Sequence, residues 1–479
     1  MGERRMSELL TTEELLLLEN LVYMDGGQPF KTVNESINEY KTVGEWINDI
    51  GIDEINDDQT YTSYTTGADW KNIIEAIKND ETLMNMTIDT AYVDDKENGG
   101  GGRSAVFVNP DTGEAVVAFR GTAKHEWKDN FVGGGPTGTA DGVSTPQQEN
   151  ALKWYQDWYE NGGYENTSIT VIGHSKGGNK AKYITVMDNT VDRCVSFDGQ
   201  GFSDEFMNKM NDKIAVNEDK ITNYNVENDY VNILLNDIGT KIYCQGYDYG
   251  EGGFLEAHCP NTFFKFNDDG TVEINTAAYD QDSTMKEIDC FFNSFLRSLS
   301  KEEKIQILEI IGEMAELFLG EGCKEWERYS EVIEEGDNGE RLKELCDYLS
   351  AYLKGEVSKN GEDMAAFSSS AGNVDFSICP GRIKPCIDEF MDASKKIEDM
   401  ERRLNEIAGE LSGSMLPVKK QLEAAINEVG ERKRECRELG VALKNIVRAY
   451  ENTETKISEA DVKPKYGIFW MYKFIYGSF

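Results

Sequence analysis

Residues 170–183, TVIGHSKGGNKAKY, limit what this chain can fold into more than any other stretch. The run Ile169, Thr170, Val171 and Ile172 leading into it is β-branched and favours a strand. Asn179 to Ile184 reads as the opening of a helix, with no proline to interrupt it. Between the two, Gly173-His174-Ser175-Lys176-Gly177 must turn the chain within a few residues. Glycine on both sides leaves room for a backbone too tight for larger side chains. The serine at the apex is thereby pushed into an unfavourable conformation with its hydroxyl outward. Strand, sharp turn and helix in that order predict an α/β fold in which Ser175 is a candidate nucleophile.

The chain has 479 residues, too many for one core, so two or three domains are expected. Charge divides it. Residues 381–479 hold 18 Lys+Arg and 17 Asp+Glu; of the chain's 49 and 88, residues 1–380 therefore hold 31 and 71. The overall net charge of −39 argues against nucleic acid as a partner. No apolar run reaches the length needed to cross a bilayer. The start, MGERRMSELLTTEELLLLENL, is interrupted by Glu13, Glu14 and Glu19 and has no small-residue cleavage site. It reads as an amphipathic helix with Thr11 and Glu14 as a capping box, so no classical export signal is expected. Nine cysteines without a CxxC pair predict buried, reduced thiols, and with only three histidines no metal site is expected.

Four zones follow. Residues 1–280 mix β-branched runs with helical patterns, with strands at 104–108, 114–120, 169–172, 191–197 and 221–226, a helix at 150–160, and a hairpin at 262–274. Residues 281–354 form an acidic helical extension packed on that domain, and 355–380 a linker. Residues 381–479 carry two long apolar seams, Ile383 to Leu411 and Met415 to Tyr450, separated by Ser412-Gly413. That pattern predicts an antiparallel helical hairpin that needs a helical partner to cover its seam. Pro417 suits the first turn of its second helix.

A nucleophilic serine needs a base, an acid that orients the base, and donors for the oxyanion. With three histidines the base can be sought exhaustively. His174 sits within the elbow, with its side chain expected to point back into the domain. His125 precedes the elbow. His258 follows it, in the order Ser, acid, His of an α/β-hydrolase, and is the candidate base. The acid should end a strand between Ser175 and His258. Asp229 does so after 221–226, Asp198 after 191–197 is the runner-up, and Glu227 is a third candidate. Oxyanion donors are expected from the backbone N–H groups of Lys176 and Thr122. Trp127 and Phe131, followed by the glycine-rich 133–138, suit either a lid over an apolar chain or core packing. His125, Trp127 and Asp198 are candidate site-lining residues.

Taken together FRGT at 119–122, GHSKGG at 173–178, SFDGQGF at 196–202, a strand-end aspartate and a following histidine resemble the class 3 lipase group of α/β-hydrolases, in its bacterial GHSKGGN branch. The resemblance implies Ser175, Asp229 and His258 as triad, Thr122 and Lys176 as oxyanion residues, and long-chain acyl esters as substrate. Tyr230 departs from the apolar residue many of these lipases have after the acid. In the C-terminal zone Leu411-Ser412-Gly413 resembles the LxG or WxG turn of type VII secretion substrates, and Tyr450 with Glu454 their YxxxD/E export signal. That implies a type VII-secreted lipase toxin with its domains in reversed order, small helical WxG-like partners on the hairpin, and an immunity protein in the producer.

The reading that follows is a secreted, antibacterial phospholipase A acting on glycerophospholipids without a cofactor. Ca²⁺ is considered around Asp57-Asp58, where the spacing matches no EF-hand loop. The alternatives are a cytosolic carboxylesterase or thioesterase whose hairpin oligomerises, and an inert adaptor linked to secretion.

Overall fold

Strands that are apolar at every position, rather than at alternate ones, must be covered on both faces. Ala115–Phe119 and Ile169–His174 are buried throughout, and they lie next to each other at the centre of the sheet. The computed structural model describes residues 9–317, with breaks at 26, 63–64, 94–102, 123–125, 132–142, 165–166, 247–255, 268–269 and several positions between 277 and 299, and beyond them only 332, 395, 397 and 402–405. The linker and, apart from those few positions, the predicted hairpin, with Leu411, Gly413, Tyr450 and Glu454, lie outside the described residues, as does His125.

Eleven strands occur among the described residues. β1 (Thr60–Thr62) pairs with β2 (Thr65–Thr66). The main sheet contains β3 (Thr87–Val93), β4 (Arg103–Val108), β5 (Ala115–Phe119), β6 (Ile169–His174), β7 (Arg193–Phe197), β8 (Ile221–Val226) and β9 (Thr240–Cys244), hydrogen-bonded in chain order. β3, β4 and β5 form an antiparallel meander, and β5 through β9 run parallel. β10 (Phe264–Phe266) and β11 (Val272–Ile274) make the predicted hairpin.

Five helices precede the main sheet: α1 (Thr12–Tyr23), α2 (Val33–Ser36), α3 (Val43–Asp49), α4 (Gly67–Lys78) and α5 (Glu81–Asn85). The crossovers supply α6 (Pro146–Gly162), α7 (Lys176–Met187), α8 (Asp204–Lys209) and α9 (Asn211–Asn217), and α10 (Lys301–Ala315) follows the hairpin. Alternating side chains divide the core into two layers. Phe107, Val116, Ala118, Ile172 and Phe197 face the layer of α1, α3 and α4. Val106, Val117, Phe119, Val171 and Cys194 face that of α6 and α7. A mixed sheet between helical layers, with the serine at the turn from β6 into α7, is an α/β-hydrolase architecture.

α1 has the predicted capping box on Thr11 and Glu14, yet it is not an amphipathic surface helix. Leu15 through Tyr23 are all buried, including Glu19 and Asn20. Each of these polar residues has a partner: Glu19 Oε1 accepts from the His174 N–H at 3.1 Å and Asn20 Nδ2 donates to the Leu16 carbonyl at 2.9 Å, while burial raises the Glu19 pKa well above the usual carboxylate range. Cys194, Cys244 and Cys259 are buried, and Cys194 and Cys244 are free thiols, as the cysteine pattern predicts for them.

Candidate active site

The elbow is built by close approach. Ser175 has φ 59° and ψ −126°, a conformation that costs roughly 1–3 kcal/mol and persists only where the surroundings impose it. They do. The Ser175 N–H donates to the Phe197 carbonyl at 2.9 Å, tying the turn to β7. A Cβ at Gly177 would lie 1.7 Å from the Phe119 carbonyl oxygen, so α7 can start against β5 only with glycine there. Ser175 itself keeps a residual 7 % exposure.

His258 lies in a short 3-10 turn, Glu256–His258. Its Nδ1 is 2.6 Å from Asp229 Oδ2, and the pair is almost fully buried, with side-chain exposures of 10 % and 0 %. Asp229 follows β8 at a turn where its Oδ1 accepts from the N–H groups of Val231 at 2.8 Å and Asn232 at 2.7 Å. Three contacts thus fix the orientation of this carboxyl group. The opposite nitrogen, His258 Nε2, is buried and has no hydrogen-bond partner among the described residues. The ring lies 4.7 Å from that of His174, the residue immediately before Ser175.

His174 does point into the domain, but it lies against the candidate base rather than away from it. Its Nδ1 is 2.7 Å from the Tyr23 hydroxyl. Burial, and then the neighbouring His258, hold its pKa well below the usual imidazole range, so it stays neutral. The Tyr23 hydroxyl also accepts from the Gly121 N–H at 2.9 Å. This tyrosine, at the end of α1, therefore ties the elbow to the strand end that precedes the candidate oxyanion donor. A Cβ at Gly121 would come within 3.0 Å of Ser175 Cβ, so this strand end runs directly beside the serine. Thr122 follows, its Oγ1 accepting from Asn130 Nδ2 at 2.8 Å. Lys176 is the first residue of α7, where backbone N–H groups have no helical acceptor. Its side chain is buried, which lowers its pKa to about 8 against the opposing pull of Asp129.

The two aspartates take different places. Asp229 contacts His258; Asp198 does not hydrogen-bond the imidazole, but lies behind it, fully buried with φ 45°. Asp198 Oδ1 accepts from the Val226 N–H and from Asn232 Nδ2, each at 2.7 Å. A ring nitrogen of each histidine and a carboxylate oxygen of Asp198 lie within 4.8 Å of one another. Glu227 is held elsewhere: its N–H donates to the Cys244 carbonyl and its carbonyl accepts from Gln281.

Trp127 belongs to a 3-10 turn, Trp127–Asn130, that packs against α10. The Trp127 N–H donates to Glu316 Oε2 at 3.1 Å, and Lys128 pairs with Glu313 at 3.0 Å. The glycine-rich stretch after Phe131 is outside the described residues. Tyr23, Asn130 and Asn232 join the site without any local signal in the sequence, because their partners there include residues brought near only by the fold.

Residues 85–311, slightly less than half of the chain, match the Mbeg1-like family. That span runs from the end of α5 into α10 and includes Ser175, Asp198, Asp229 and His258. Among solved structures, the crystal structure of the Lip2 lipase from Yarrowia lipolytica is similar at 14 % identity, over 33 % of this chain and 67 % of that one, with a TM-score of 0.26. No curated protein matches the chain. The assignment of this domain to the α/β-hydrolase architecture rests on its sheet order and on the strained serine between β6 and α7.

Proposed function

We propose that this chain is a serine-dependent carboxylic ester hydrolase, a lipase of phospholipase A type exported through its C-terminal hairpin. The observation that carries the reading is the 2.6 Å bond between His258 Nδ1 and Asp229 on a histidine whose other nitrogen has no partner among the described residues and whose ring packs beside the serine elbow. In the reaction, Ser175 Oγ attacks the acyl carbonyl while His258 Nε2 takes its proton. Asp229 holds the imidazole in the tautomer with hydrogen on Nδ1 and stabilises the imidazolium. The N–H groups of Lys176 and Thr122 receive the developing oxyanion. Collapse of the tetrahedral intermediate expels the alcohol, which takes the proton back from His258. Water, deprotonated by the same nitrogen, then releases the fatty acid and restores Ser175.

No helix of the described residues is long and apolar enough to cross a membrane. The substrate would then be met at a bilayer surface or as a dispersed lipid. With a net charge of −39, anionic bilayers should repel the protein, which favours zwitterionic headgroups. Type VII export, helical partner proteins on the 381–479 hairpin, an immunity protein and an antibacterial target rest on the Leu411, Gly413, Tyr450 and Glu454 pattern alone. The test is fatty-acid release from phosphatidylcholine and from triacylglycerol, with and without calcium. Release from the first at an sn ester supports a phospholipase A, release from both a general lipase, and release from neither contradicts the reading. Export is tested separately by Tyr450→Ala, which should keep the protein inside the producing cell.

A further inference from the structure

Two carboxyl groups lie in the core behind His258, and both are at 0 % exposure. Asp229 has a donor for each oxygen, three in all. Asp198 has donors on Oδ1 only, from Val226 and Asn232. Its Oδ2 has no partner among the described residues, and neither do Asn232 Oδ1 and His174 Nε2. Asp198 Oδ2 and Asn232 Oδ1 are acceptors that no donor reaches among the described residues. A proton on Asp198 would supply one and would remove the second negative charge from a space that already holds Asp229.

Asn232 joins the two acids. Its backbone N–H donates to Asp229 Oδ1, while its side-chain amide donates to Asp198 Oδ1 at 2.7 Å and to the Val226 carbonyl at 2.9 Å. Asp198 is in turn fixed by its own N–H, which donates to the Tyr224 carbonyl at 2.9 Å. We propose that Asp198 is a positioning residue: a neutral carboxylic acid that anchors the Asn232 amide and so holds the Asn232 N–H against the carboxylate that orients His258. The ionisable groups facing it are Asp229, His174, His258 and the Cys244 thiol. Burial and then the charge of Asp229 push the Asp198 carboxyl well above the ordinary carboxylate range, in agreement with the hydrogen-bond accounting.

The inference rests on the reading of Asp229 and His258 as acid and base, and its test does not depend on finding the substrate. With three histidines in the chain, the imidazole resonances of His258 can be followed through a pH titration. Asp198→Asn replaces a neutral acid by a neutral amide. The His258 titration midpoint should then move by less than about 0.3 pH unit, whereas loss of a true anion so near should lower it by about one unit or more. Asp229→Asn is the control that must move. A drop of that size in D198N overturns the proposal, whether or not an ester substrate has been found.

On any ester the wild type hydrolyses, D198N should keep kcat within about threefold, and Asp198→Ala should lose about 10²-fold in kcat with KM unchanged. A folded D198A of normal kcat would reduce Asp198 to a structural residue and overturn the positioning role. If D198A does not fold, Asn232→Ala cuts the same link with Asp198 in place and should show the same loss; normal kcat there overturns the role equally. No ester hydrolysis by the wild type would instead count against the functional reading, with the titration still deciding the state of Asp198.

Discussion

The two sides of Ser175 are held in different ways. On the side of β7 and β8, Asp229, Asn232, Asp198 and His258 form a buried network in which each named bond is 2.8 Å or shorter. On the side of β5, the chain after Gly121 is held by Tyr23 and Asn130 within the domain, and then by α10 through the pair Lys128–Glu313, whose side chains are 48 % and 50 % exposed. Buried bonds in a low-dielectric setting are costly to break, while exposed pairs contribute little. The first side is therefore held by buried bonds throughout, and the second in part by an exposed pair.

Substitutions should reproduce that difference in order. Asp229→Asn keeps the shape of the site but gives His258 the wrong tautomer, and should lower kcat by about 10³–10⁴-fold, measured on a soluble short-chain ester. Next comes Tyr23→Phe. It leaves the buried Gly121 N–H without its acceptor, and should cost about 1–3 kcal/mol in urea denaturation, with a fall in kcat of about tenfold because Gly121 abuts the serine. If Tyr23→Phe proves silent, the β5 side is not tied to the elbow as described.

Lys176→Met tests burial without touching the candidate oxyanion N–H. The folded pKa of Lys176 is about 8 and lies below its ordinary value of 10.5. Between those two pH values the unfolded chain holds a proton that the folded chain has released, so stability rises with pH across that window. The rise attributable to this residue should be about 3 kcal/mol at most, and the variant should lack it in denaturation curves at pH 7.5 and 10. Smallest of all, Glu313→Gln should change stability by less than about 0.5 kcal/mol and leave kcat on a soluble ester unaltered. A loss there comparable to that of Asp229→Asn would erase the distinction between the two sides.

The elbow was legible in the sequence because its constraints are local: two glycines, a serine and a strand-to-helix change within a few residues. Strands β4 through β8 were legible from their β-branched and apolar content, although β8 carries Asn223 and Asn225 within it. β3 and β9 were not. They are the edges of the sheet, and half-exposed runs such as Thr240–Cys244, with Lys241 in it, carry no such pattern. The reading of α1 as amphipathic failed because Glu19 is buried against a backbone N–H 155 residues away, which no helical period reveals. The same distance hides Tyr23 and Asn232, and it left Asp198 and Asp229 as rivals. Both follow strands, and only the fold places one against His258 and the other behind it.

The central claim is that Ser175 is an activated nucleophile, and covalent capture tests it most directly. Intact-mass measurement after exposure to a long-chain alkyl fluorophosphonate should give one adduct per chain, located on Ser175. It should be absent from Ser175→Ala and should form slower by orders of magnitude in Asp229→Asn. An unmodified wild type, or labelling that persists in Ser175→Ala, would contradict the account.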